Sequence, residues 1–142
     1  MGRMWRTAAI CAGLLACLLC AWGGRGGDIS GAVIDYGESE LYTAEDLEAA
    51  AEAVLREFAD FDGCVLHTLE YAGDDAGARE LEYANSLSED GDFAQCIVFT
   101  SSFRSPANGG GAWDRDREYK GWSWLLARED GGDWEFLTGG YA

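Results

Sequence analysis

TAEDLEAAAEAVLREF, residues 43–58, reads as one amphipathic helix. Leu47, Ala50, Ala51, Val54, Leu55 and Phe58 recur every three or four positions, while Glu45, Glu48, Glu52, Arg56 and Glu57 fall mostly on the remaining arc. Thr43 stands where an N-cap hydroxyl accepts from the backbone three residues on, and Asp46 occupies that third position, so the two form an approximate capping box. Glu45 and Asp46 also lie at the positive end of the helix dipole. Asp62-Gly63 supplies the stop, which sets the helix at about residues 44–60. A helix with one apolar stripe has to lay it on another layer.

The residues that follow supply that layer as strands. Residues 64–72 are rich in Val, Leu, Thr and Tyr, and Gly73-Asp74-Asp75 closes them. Residues 78–87 make a weaker helix with Leu81, Ala84 and Leu87 on one side. Residues 93–104 and 119–129 read as two further strands, separated by a 105–118 loop that holds Pro106 and three successive glycines. Asp130-Gly131-Gly132-Asp133 is a hairpin signal into a last strand at 134–138. The expectation is α+β: a long N-terminal helix on a curved four-stranded antiparallel sheet, in the order α-β-α-β-β-β, cystatin-like or cone-shaped. Apolar residues on both faces of the 93–104 and 119–129 strands require cover on the second face as well, from curling of the sheet or from a partner.

N-terminal to the helix, Arg3 and Arg6 precede an apolar run from Thr7 to Trp22, and glycines follow at 23, 24, 26 and 27. That is the pattern of an export leader, and the run is shorter than the roughly 20 residues a spanning helix needs. Leu14-Leu15-Ala16-Cys17 has the form of a lipobox, which would place diacylglycerol on Cys17. Ala21-Trp22-Gly23 would instead serve ordinary signal peptidase and release the chain. The division expected is a leader at 1–23, a flexible linker at 24–37 and one domain at 38–142, placed outside the cytoplasm and held to the outer face of the cytoplasmic membrane by the lipid.

The chain carries 10 basic and 26 acidic residues and a formal charge of -16. A field of that sign repels phosphate backbones and anionic membranes, which excludes nucleic acid as an expected partner. A solvated surface accounts for the charge, with an acidic face for a cationic partner as the other reading.

The run from Leu41 to Asp46 through Phe58 to Gly63-Cys64, and the ending Gly121-Trp122-Ser123-Trp124-Leu125-Leu126-Ala127-Arg128 through Trp134 to Gly140-Tyr141, resemble an uncharacterised family of Firmicutes extracytoplasmic lipoproteins. The resemblance spans about residues 36–141. It implies an extracytoplasmic address and a cystatin-like or nuclear-transport-factor-2-like fold, and it brings no activity or catalytic residue with it.

Few residues offer chemistry. His67, the only histidine, is placed by alternation with Val65, Leu69 and Tyr71, and no partner to orient its imidazole is evident. A site with several His ligands is therefore excluded, and no metal or cofactor is expected. Cys64 and Cys96 are the only cysteines in the domain, and a disulfide between them would close a loop of about 33 residues, worth about 3–4 kcal/mol; two buried free thiols are the alternative. Paired acids at 60/62, 74/75, 90/92 and 114/116 lack the regular calcium-loop pattern and read as solvated carboxylates. Trp122, Trp124 and Arg128 share one strand face and Trp134 stands on the next strand, so these residues, with Arg104 as a second anion anchor, are the candidate lining of a pocket; the same pattern also describes core packing. The functional expectation is a non-catalytic envelope module that binds a small-molecule ligand or an envelope protein through the curved sheet or a mobile 105–118 loop. The alternative is a cone-fold enzyme with a buried carboxylate as proton shuttle, for which Glu70 and Glu135 are the residues to inspect.

Overall fold

The computed structural model describes residues 26–110 and 113–141; the expected leader, Cys17 included, lies outside the described residues. The elements are β1 (Val33–Asp35), α1 (Ala44–Phe58), β2 (Val65–Tyr71), α2 (Asp74–Ser86), β3 (Gln95–Arg104), β4 (Glu118–Arg128) and β5 (Glu135–Gly140). The strands stand side by side in chain order in one sheet, with β1 parallel to β2 and all other neighbours antiparallel.

The α+β class is as expected, but the four-stranded antiparallel sheet is corrected to five strands of mixed direction. The additional strand comes from the segment assigned to a linker. Ile34 pairs with Leu69, and upstream the Gly27 amide donates to Ala59 O at 3.1 Å and the Asp28 amide to Cys64 O at 2.8 Å. Among the described residues, the paired backbone of the domain thus reaches back to Gly26. Three residues are too few to show a period of two, and the pairing partner lies about 35 positions away, so no local pattern marks β1.

Helix α1 forms for the reasons its sequence offers. The Thr43 hydroxyl accepts from the Asp46 amide at 3.1 Å and the Asp46 carboxylate accepts from the Thr43 amide at 3.1 Å, which completes the capping box. Its stripe of Leu47, Ala50, Ala51, Val54 and Phe58 is buried against Leu66, Leu69, Ile97, Phe99, Phe103, Trp124 and Leu126. Burying a side chain such as Leu47 or Phe58 stabilises the fold by about 1.5–3 kcal/mol.

Helix α2 lies on the opposite face, where Ala84 packs with Cys96, Val98, Leu125 and Ala127. It starts four residues earlier than the expected Ala78. The reason is Gly77, at which a Cβ would stand 2.0 Å from Cys96 O. The helix backbone rests directly on β3, so the contact needs no large apolar side chain and leaves little hydrophobic period to read.

Candidate functional site

The residues expected to line a pocket are divided between the core and the two ends of the sheet. Trp124 is 1% exposed, and its indole Nε1 donates to Ser101 Oγ at 2.8 Å. Trp122 and Trp134 belong to the same α1-side core, where Trp122 meets Phe61, Phe103 and Trp113, and Trp134 meets Tyr42 edge-on at 5.5 Å. The indole nitrogens of Trp122 and Trp134 are buried without a hydrogen-bond partner. The three tryptophans do share one face, as alternation requires, but Trp124 and Trp134 are taken up by the α1-side core and Trp122 is partly covered by Phe61 and Trp113.

The two arginines do not converge. Arg128 pairs across the sheet with Gln95 and Arg104 with Glu118, at opposite ends of β3 and β4. The Arg128 guanidinium lies 4.4 Å over the Trp134 ring, donates to Gln95 Oε1 at 2.7 Å, and bonds Asp46 Oδ1 at 2.9 Å. It is a structural clamp between β4 and the start of α1. Arg104 is half exposed and bonds Asp116 at 2.8 Å, with Glu118 3.8 Å away.

Cys64 and Cys96, the cysteines among the described residues, are free, buried and far apart. Cys64 precedes β2 beside the end of β3, whereas Cys96 stands at the beginning of β3 on the α2 side. Nine residues of extended strand separate the two ends, about 30 Å, against the 7 Å that a disulfide tolerates. Burial pushes the Cys64 thiol up to about 11 and the Cys96 thiol up to about 12, with Asp62 and Glu80 adding to each. Neither is a nucleophile near neutral pH.

No Asp or Glu is buried among the described residues, and Glu70 and Glu135 both face solvent. The proton-shuttle reading thereby loses the residues that motivated it. Among the described residues no group of His, Cys, Asp and Glu is arranged to hold a metal. Asp74 accepts from Ser39 and Tyr71 hydroxyls and from the Glu40 amide, so its charge is spent on joining the β1–α1 connection to α2.

The described part of the 105–118 loop is tied down. Ser105, 3% exposed, donates through Oγ to Asp114 O and accepts from the Arg117 amide at 2.9 Å. The Asp114 amide donates to Tyr119 Oη at 3.1 Å, and Trp113 packs on Phe61, Phe103 and Tyr119.

What remains open is half of the α2 face of the sheet. Helix α2 covers Cys96, Val98, Leu125 and Ala127. Further along the same strands, alternation brings out Thr100 and Ser102 on β3, Thr68 and Glu70 on β2, and Lys120 on β4. Together with Ser101 and Gly121 these residues line a shallow depression of about 270 Å³. Two bulges shape it. Gly121, at φ +72, is the extra residue in β4 opposite Ser101 and Ser102. His67 is the extra residue in β2, which turns it away from Leu69 and Tyr71 to the open face, 3.4 Å from Glu118. The Thr68 and Ser102 hydroxyls share a hydrogen bond of 2.8 Å across the floor.

Sequence reading missed this surface: the Thr100-x-Ser102 spacing is the local signal that could have marked it, whereas the bulge that re-aims His67 leaves none. The surface offers hydroxyl donors and acceptors, one carboxylate and one ammonium on a rigid sheet, a set suited to holding a polar ligand rather than transforming it. Comparison with known proteins gives no matching family model, no matching curated protein and no matching solved structure.

Proposed function

We propose that the protein is a non-catalytic binding module of the cell envelope, exported and held to the outer face of the cytoplasmic membrane through lipid on Cys17, and that it binds a polar small molecule or an envelope protein on the uncovered half of its sheet. One observation carries the reading: Thr68, Glu70, Thr100, Ser102 and Lys120 stand together on a face that α2 leaves open. The resemblance to extracytoplasmic lipoproteins and the Leu14-to-Cys17 motif support the address. Trp124 and Trp134 are buried in the α1-side core and Trp122 is partly covered by Phe61 and Trp113, and the absence of a buried carboxylate among the described residues favours binding over acid–base chemistry.

The test is a screen of envelope saccharides, amino acids and short peptides against the full chain in detergent by NMR, with Thr100→Arg and Ser102→Arg as blocked controls. Saturable binding that both substitutions abolish supports the proposal. A specific ligand whose binding survives both moves the function off this face.

A further inference from the structure

The other partly open surface lies at the end of the sheet where the chain enters the domain. Gly26 O accepts from the Gly63 amide at 3.4 Å, two residues beyond Phe61. Phe61 lies 5.0 Å from Trp113 and 6.2 Å from Trp122, and Trp122 lies 5.4 Å from Tyr141. Here β2 begins, β3 ends, β4 begins and β5 ends, so all of these rings crowd one rim. Phe61, Trp113 and Trp122 are half-buried, and Val65 and Tyr141 are exposed at 37% and 55%.

Charge is distributed unevenly in the same direction. Residues 104–120 hold Arg104, Arg115, Arg117 and Lys120, four of the ten basic residues, against three acids, Asp114, Asp116 and Glu118. The remainder of the chain has 23 acids and six basic residues. Asp28, Asp60 and Asp62 stand at the same rim beside Val65 and Phe61, so its four basic residues meet six acids, a smaller acidic excess than the 20 acids and six basic residues of the rest of the chain. Trp, Tyr, Arg and Lys around an apolar patch are the side chains that settle at a membrane interface.

The apolar run at 7–22 ends four residues before Gly26, and Cys17 is nine residues from it, a reach of at most about 32 Å. We infer that the Phe61–Trp113–Trp122–Tyr141 rim docks on the phospholipid surface next to which residues 7–22 hold it, leaving the polar sheet face free to meet its ligand. This rests on the reading of the leader as membrane-directed, and does not depend on what the sheet face binds.

The experiment uses the full chain carrying Trp5→Phe and Trp22→Phe, in vesicles of phosphatidylglycerol and phosphatidylcholine brominated at a shallow acyl position. Flotation first measures association through the N-terminal run, and tryptophan emission then reports contact of the domain with lipid. The expected result is bromolipid quenching that is mostly lost on adding Trp113→Phe and Trp122→Phe, with near-ultraviolet circular dichroism confirming an intact core. Failure to float overturns the leader reading and the docking together. Flotation with unquenched domain tryptophans overturns the docking alone, as does quenching that the two substitutions leave unchanged.

Discussion

Arg128 Nη1 and Asp46 Oδ1 are 2.9 Å apart, although 82 residues separate them in the chain. The same carboxylate accepts the Thr43 amide, so one side chain both caps α1 and ties it to β4. Asp46→Ala should lower stability by about 2 kcal/mol, from the lost cap and the lost charged hydrogen bond. Urea unfolding should show a lower midpoint at unchanged slope.

The same pair has a pH signature. The Arg128 hydrogen bond, and after it the Thr43 amide, hold the Asp46 carboxyl below its ordinary 3.8. A depressed carboxyl contributes its stability in full above the unfolded-state value and loses it as pH falls through the folded-state value. Asp74 is lowered in the same direction, first by Ser39 and then by Tyr71. Stability should therefore be flat with respect to these groups above pH of about 5 and fall below about 4. Asp46→Asn should make that acid decline shallower; a thermal-unfolding series that declines as steeply in the variant would remove Asp46 from the account.

Gly77 offers a sharper test of the α2 contact. Adding a Cβ 2.0 Å from Cys96 O forces helix and strand apart, and Gly77→Ala should cost about 1–3 kcal/mol even though alanine is the better helix former. A neutral or stabilising result in calorimetry would mean that α2 does not rest on β3 this closely.

Ser101 is the polar residue at the centre of the aromatic core, accepting from Trp124 Nε1 and bonding Trp122 O at 3.3 Å. Ser101→Ala leaves the buried indole N–H unpaired, a loss of about 1–3 kcal/mol. The check is a thermal melt beside Ser102→Ala, whose hydroxyl lies on the wetter face and should matter less.

The two thiols should be invisible to redox chemistry. Reducing agent should leave the melting temperature unchanged, and iodoacetamide should modify Cys64 and Cys96 only after denaturation, as burial and raised thiol values require. Intact-mass spectra before and after reduction settle the point; a two-dalton difference assignable to a Cys64–Cys96 bridge would contradict the strand geometry.

Elements with a strong local signal were readable in the chain: α1 from its apolar stripe and cap, β3 and β4 from their apolar and aromatic runs, the last hairpin from its glycines. What escaped reading was set by contacts between distant segments. β1 exists because Ile34 finds Leu69, the first turn of α2 lies where Gly77 lets the helix approach β3, and His67 turns outward because β2 bulges. The pocket assignment failed for a related reason. Trp122, Trp124 and Trp134 share a face as alternation implies, but a core-facing aromatic stripe and a pocket-lining one have the same spacing, and only the position of α1 separates them.

On the proposed function, the protein meets its partner on the polar half-face of the sheet. Photo-crosslinking in exporting cells tests it most directly, with the reactive side chain placed at Thr100 or Ser102 on that face and at Glu48 or Glu52 on the exposed side of α1. The expected result is one discrete adduct, formed from the Thr100 and Ser102 positions, absent from the Glu48 and Glu52 positions, and diminished by Lys120→Glu. An adduct formed equally from all four positions, or from α1 alone, would contradict it.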